Sequence, residues 1–199
     1  MTKSILTKIT MATAGLAAAF TLQSAAFGAE DYAASIQRDV VPQVRAWLSD
    51  PTLISAVKDQ NARHAGLGQG DIDRLDGQWR SETSSGKRDL VDALLSNQLS
   101  GYLGGVKGEA GGLYSEIFVM DNKGLNVGQS DVTSDYWQGD EDKWQKTFLA
   151  GAGAVFIDEV EFDESTQTFQ SQLSLPVVDP DSGMAIGAVT VGVNVEMLQ

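Results

Sequence analysis

The sequence predicts an α+β fold, a single domain in which helices pack on a five-stranded antiparallel sheet. Two observations lead to it. Apolar residues recur at helical spacing through residues 30–113, then alternate in short runs between turn signals through residues 114–199. The connection between the halves is short and glycine-rich. Neither half has an obvious complete core alone, so both belong to one unit.

In the helical half, Ile36, Val40, Val44, Trp47 and Leu48 mark one face of the first helix. Pro42 lies inside that pattern, and its missing N–H predicts a kink or a helix start there. Asp50-Pro51 reads as an N-cap followed by proline at the first helical position, with Leu53, Ile54 and Val57 turned inward. Gly66 to Gly70 reads as a loop, and Ile72, Leu75 and Trp79 mark a short helix. Leu90, Val91, Leu94, Leu95 and Leu99 mark a further helix ending near Gly101. The segment from Gly104-Gly105 to Gly111-Gly112 is then the connection to the sheet.

The sheet half opens with Glu116 to Met120. Asp121-Asn122-Lys123-Gly124 is a turn, and Leu125 to Gln129 is the return strand of a hairpin. A loop and a helix follow, with Trp144, Thr147 and Phe148 on one face. Val155 to Phe162 and Thr168 to Pro176 form a second hairpin. After the turn Asp179-Pro180-Asp181-Ser182-Gly183 comes the last strand, Ala185 to Val195. There Ile186, Ala188, Thr190, Gly192 and Asn194 alternate against Ala185, Gly187, Val189, Val191 and Val193.

Residues 1–29 read as a cleavable secretory leader. Lys3 and Lys8 precede an apolar stretch, Ile9 to Phe20, and small residues gather at Ser24, Ala25, Ala26, Gly28 and Ala29 before Glu30-Asp31. The apolar stretch is short of the ~20 residues a spanning helix needs. A periplasmic location follows as the expectation, with residues 30–199 as the mature domain and no membrane span in it. The whole chain carries a net charge of −13. Removing Lys3 and Lys8 leaves 12 basic against 27 acidic residues, a net charge of −15. Such a field repels nucleic acid and anionic lipid. There is no cysteine, which excludes disulfides, thiolate metal sites and cysteine nucleophiles.

No reactive constellation stands out. There is no G-x-S-x-G elbow. His64, the one histidine, reads as a solvated helix-end residue, since a general base needs an arranged partner. Gly66, Gly68 and Gly70 follow a helix rather than a strand and lack a following Gly-Lys-Ser/Thr, so neither nucleotide fingerprint fits. Asp140, Glu141, Asp142, Asp158, Glu159, Glu161, Asp163 and Glu164 could supply paired carboxylates for an exported hydrolase. A chain this acidic produces such pairs by chance. The calcium-loop pattern is absent. No enzyme activity, cofactor or metal is expected.

The segment Thr133-Ser134-Asp135-Tyr136-Trp137-Gln138-Gly139-Asp140-Glu141 sets two large aromatic residues among polar groups, ahead of Lys143 and Trp144. Such rings either cap the sheet as core or line a small-molecule pocket.

Together with the I-F-V-M-D-x-x-G hairpin, the L-P-V-x-D segment and the closing I-G-A-V-T-V-G-V strand, this segment resembles the periplasmic Cache (PDC) sensor domains. The resemblance runs from about Tyr32 to Val195. It implies a PAS-like five-stranded antiparallel sheet with a long N-terminal helix packed on it. It also implies a small ligand between the sheet and the loop–helix after the second strand. By position, Tyr136, Trp137, Gln138, Asp140 and Trp144 would lie at that pocket, with Ser130 at the end of the second strand and Asp158 on the third. The Arg and Trp-Tyr motif of the amino-acid-binding branch has no match, and the acidic candidates favour a polar or cationic ligand. A sensor of this kind would act through a separate membrane receptor or histidine kinase. A structural or interaction module without a ligand is the second expectation.

Overall fold

A computed structural model of the chain describes residues 32–84, 86–164 and 167–198. The predicted leader, residues 1–29, lies outside the described residues. The mixed architecture predicted from the sequence is present: helices between residues 32 and 109, then an antiparallel sheet with one short helix inserted.

The first helix opens with a π-turn, Ile36–Val40, and continues as α1, Val41–Leu48. Val41 N–H bonds Ile36 O, five residues back, immediately before Pro42. Proline has no N–H to give and its ring crowds the carbonyl four residues earlier, so the wider turn absorbs it. The helix α2, Pro51–Arg63, starts where Asp50 Oδ1 accepts Thr52 N–H at 2.8 Å, the cap expected from Asp50-Pro51. Next come α3, Gln69–Thr83; α4, Asp89–Leu95; and α5, Gln98–Glu109.

Three expectations change here. α3 is 15 residues long and starts inside the glycine segment read as a loop. The helix expected to end near Gly101 is two helices, broken at Ser96–Asn97, where Asn97 Oδ1 caps α5 by accepting Ser100 N–H at 2.7 Å. Gly104 and Gly105 are helical, not a connection. Each interior glycine costs about 1 kcal/mol relative to alanine, which the burial of Leu99 and Leu103 against the sheet and the Asn97 cap offset. The actual connection is the turn after α5, where Gly111 (φ +59°) and Gly112 (φ +98°) take left-handed conformations.

The strands are β1, Tyr114–Met120; β2, Asn126–Gln129; β3, Phe156–Ile157; β4, Glu161–Asp163; β5, Thr168–Val178; and β6, Ala185–Asn194. A short helix α6, Asp142–Gln145, lies between β2 and β3. The order is β2-β1-β6-β5-β3, with β4 also on β5, and every pairing is antiparallel. The third strand, expected as one run from Val155 to Phe162, is therefore two pieces on the same edge. Asp158 causes the break. Its Oδ1 accepts Glu159 N–H at 2.9 Å, and its own O accepts the Ser171 hydroxyl at 2.7 Å, so a side chain takes over part of the ladder. Leu125 leaves the second strand and bridges Trp137 instead.

Period-2 alternation decides which side of the sheet each residue faces. Ile117, Val119, Leu173, Leu175, Val189, Val191 and Val193 meet Ile36, Val40, Val44, Leu53, Val57, Leu99 and Leu103 in the main core. A second cluster joins Ile72 and Trp79 of α3 and Val91 and Leu94 of α4 to Leu125 and Tyr136. On the far side of the sheet, Phe118, Met120 and Ala188 are covered by Trp144 and Phe148.

Candidate functional site

The far side of the sheet changes character along its strands. One end is apolar beneath Trp144 and Phe148, whose rings stack at 5.0 Å. The other end is polar. The Ser174 and Thr190 hydroxyls, both fully buried, share a hydrogen bond of 2.9 Å. Gln172 Nε2 donates to Glu116 Oε1 at 3.0 Å, across Gly192, which pairs with both residues. A residue without a side chain at that central position leaves the space that the amide and carboxyl fill.

Over this polar end lies an open cleft of about 420 Å³. Glu141, Asp142 and Lys143 at the start of α6 form one bank. Asp158, Glu159 and Glu161, where the edge strand breaks, form the other, and Gln170 and Gln172 of β5 form the floor. Five carboxylates face one ammonium, so the cleft carries a negative potential. A groove of about 550 Å³ between α2, Asn97–Leu99 and Val127 lies on the helical side, with acidic Asp59 and basic Arg63 both in its lining. It has no field of one sign.

Glu116 is the charge beneath the cleft. Burial holds its carboxyl above the ordinary value of 4.5; the Gln172 amide and the Lys143 charge pull it down, and Asp163 and Asp131 push it up. A carboxyl that keeps its proton to higher pH in the folded state contributes stability that is fully present below 4.5 and is lost as pH rises through the folded value. Glu116→Gln, which never ionises, is expected to raise Tm at pH 7. The gain over the wild type should shrink to nothing below pH 4.5, as read by thermal unfolding across pH. A gain that persists at pH 3 would mean that the substitution acts by packing.

The seven sequence-predicted residues are distributed as follows. Asp158 lines the cleft directly. Trp144 roofs the apolar end and donates Nε1–H to Asp121 O at 3.0 Å. Tyr136 is buried on the other flank, stacked on Trp79 at 5.5 Å. Its N–H and that of Trp137 both donate to Asp76 Oδ1, at 2.9 and 3.1 Å. Trp137 donates Nε1–H to Lys123 O at 2.8 Å. Gln138 is buried, its N–H on Gly124 O at 2.8 Å and its amide on Asp135 O at 3.0 Å. Ser130 accepts Ile117 N–H at 2.8 Å and donates to Asp131 at 2.6 Å, while Asp140 is exposed. Tyr136, Trp137 and Gln138 thus fasten the loop that delivers α6 to the cleft.

His64 differs from its expectation as a solvated residue. It ends α2 with its ring largely covered and Nδ1 at 2.8 Å from Asp121, a fully buried carboxylate. Sequence reasoning missed Glu116, Gln170 and Gln172. The signal was the polar set Gln170, Gln172, Ser174 at every second position of an otherwise apolar strand. Among the described residues, no group of three His, Cys, Asp or Glu is arranged to hold a metal ion, and no helix is long and apolar enough to cross a membrane.

No known family model matches the sequence, and no curated protein matches it. Solved structures do resemble the fold. The ligand-binding domain of the Campylobacter jejuni chemoreceptor Tlp3, in complex with 4-methylisoleucine, is 14% identical with a TM-score of 0.39, over 84% of this chain and 62% of that one. The sensor domain of the V. cholerae histidine kinase DctB is 17% identical with a TM-score of 0.36, over 71% of this chain and 56% of that one. The ligand-binding domain of the Pseudomonas aeruginosa PAO1 amino acid chemoreceptor PctC, in complex with GABA, is 14% identical with a TM-score of 0.33, over 65% and 58%. These are sensory ligand-binding domains, and this chain spans less than two thirds of the length of each.

Proposed function

We propose that residues 30–199 form a sensor domain of the Cache, PAS-like kind that binds a small polar or cationic molecule in the cleft between α6 and the β4–β5 edge. The observation that carries this is the cleft itself: five carboxylates around one ammonium, above a partly buried polar sheet surface. A soluble cation entering it exchanges water for fixed charges in a partly dehydrated site. Asp158, Gln170 and Gln172 are its direct contacts, Trp144 is the wall beside it, and Tyr136, Trp137 and Gln138 hold the loop in place. Ser130 and Asp140, expected at the pocket from the sequence, are not among the residues lining this cleft and are left out of the proposed site.

Binding would be read out through α6. Trp144 ties α6 to Asp121, and Asp121 is held from α2 by Gln60 at 3.1 Å and His64 at 2.8 Å. A ligand that prefers one position of α6 therefore shifts a population that the helical layer also senses. The leader-like residues 1–29 support export to the periplasm, and a sensor there would act through a separate membrane receptor or histidine kinase.

Thermal shift of the purified protein against amines and polar metabolites tests this. A ligand at 100 times its Kd adds about 2.7 kcal/mol, a rise of several degrees. Asp158→Asn and Gln172→Leu are each expected to weaken that ligand by roughly tenfold or more, the cost of one lost charged or buried hydrogen bond. If no compound raises Tm, or if both substitutions leave the shift intact, the cleft is not the binding site. A module without a ligand predicts the first of these outcomes.

A further inference from the structure

Lys143 is enclosed beyond what a lysine on a short surface helix needs. Its side chain is 14% exposed, against 30% for Lys107, 41% for Lys58, 54% for Lys146 and 80% for Lys87 in the other described lysine ion pairs. The ammonium sits 2.8 Å from Glu141 Oε2 and 5.6 Å from the centroid of the buried Phe118 ring. Glu116, two residues before Phe118 and on the same side of β1, feels the ammonium's charge. A ring face and a paired carboxylate, with a second carboxyl close enough to feel the charge, are what a desolvated alkylammonium requires.

We infer that Phe118, Glu141 and Glu116 form the cation seat of the cleft, that the free protein fills it with its own Lys143 ammonium, and that the ligand is a primary alkylammonium compound that displaces Lys143. This rests on the cleft being the ligand site, as proposed above. Lys143 is a tethered competitor: only molecules with the lysine withdrawn can accept the ligand, so apparent affinity falls by the fraction that is open. The same exchange supplies a movement. Lys143 and Trp144 are neighbours on α6, and Trp144 bonds Asp121 O, so withdrawing the lysine acts on the contact that leads to α2.

The test is calorimetric titration of the full chain with n-butylammonium chloride at low salt, with n-butanol as the uncharged control. Lys143→Gln is expected to bind n-butylammonium roughly tenfold tighter than the wild type, as removal of a self-ligand that keeps about nine molecules in ten closed. Adding Phe118→Leu to Lys143→Gln should abolish the gain. Lys143→Met, which keeps the apolar stem over Phe118, should reproduce it and serves if the glutamine variant melts early. Binding no tighter in both lysine variants overturns the inference. In that case the metabolite screen separates the two levels. A ligand that still depends on Asp158 leaves the cleft as the site and removes only the competitor, whereas no such ligand removes both.

Discussion

Asp121→Ala is expected to cost about 3–5 kcal/mol of unfolding free energy, the range for removing one partner from a buried charged network. Asp121 is fully buried at the head of the β1–β2 turn. Its Oδ1 accepts Lys123 N–H at 2.8 Å and Leu125 N–H at 3.0 Å, which shapes the turn. Its Oδ2 accepts Gln60 Nε2–H at 3.1 Å and pairs with His64 Nδ1 at 2.8 Å, which fixes the end of α2 to the hairpin. Alanine strands these donors away from water. Gln60 can fall back on Asn126 O at 3.0 Å, but Leu125 N–H has no such alternative among the described bonds. Asp121→Asn separates the two roles. Its carbonyl can still serve the turn, while its amide meets the donors of Gln60 and His64, so an intermediate loss is expected. Denaturant unfolding with an unchanged m-value is the measurement. A loss below 1 kcal/mol for alanine would show that the turn and α2 hold without this carboxylate.

Trp79→Ala should produce a comparable loss of about 3–5 kcal/mol, the usual cost of truncating a fully buried tryptophan. Trp79 is fully buried between α3 and the loop after β2. It stacks on Tyr136 with an interplanar angle of 23° and donates Nε1–H to Thr133 O at 2.9 Å. Trp79→Phe keeps a ring on Tyr136 and strands only the Thr133 carbonyl, so roughly 1–3 kcal/mol is expected. The near-ultraviolet dichroism of the stacked pair should disappear in the alanine variant. Because Asp76, one turn before Arg80, also holds the amides of Tyr136 and Trp137, the loop loses its ring contact while keeping a backbone anchor. An alanine variant as stable as the wild type would mean that α3 does not brace the loop.

What could be read locally was decided by period and by caps. Val189, Val191 and Val193 alternate with Ala188 and Thr190, and the two sets do lie on opposite sides of β6, because successive side chains in a strand must point oppositely. Asp50-Pro51 starts α2 because an aspartate oxygen can take an orphan amide and proline lacks one to lose. The net charge, the absence of cysteine and the α+β character followed from composition and pattern alone.

Tertiary structure decided the rest. Nothing local reveals that Gly104 and Gly105 remain helical, since their cost is offset by leucines packing on a sheet made later in the chain. Nor does a polar stretch around His64 reveal a buried carboxylate 57 residues away. The cleft follows the same rule. Glu116 and Gln172 stand 56 residues apart and meet only because β1 and β5 both pair with β6, while Lys143 reaches Phe118 only because the loop after β2 is fastened at Asp76 and Trp79. Periodicity tells which residues share a face, but strand register and loop anchoring determine which faces meet. A charged site assembled from three elements exists only once both are in place.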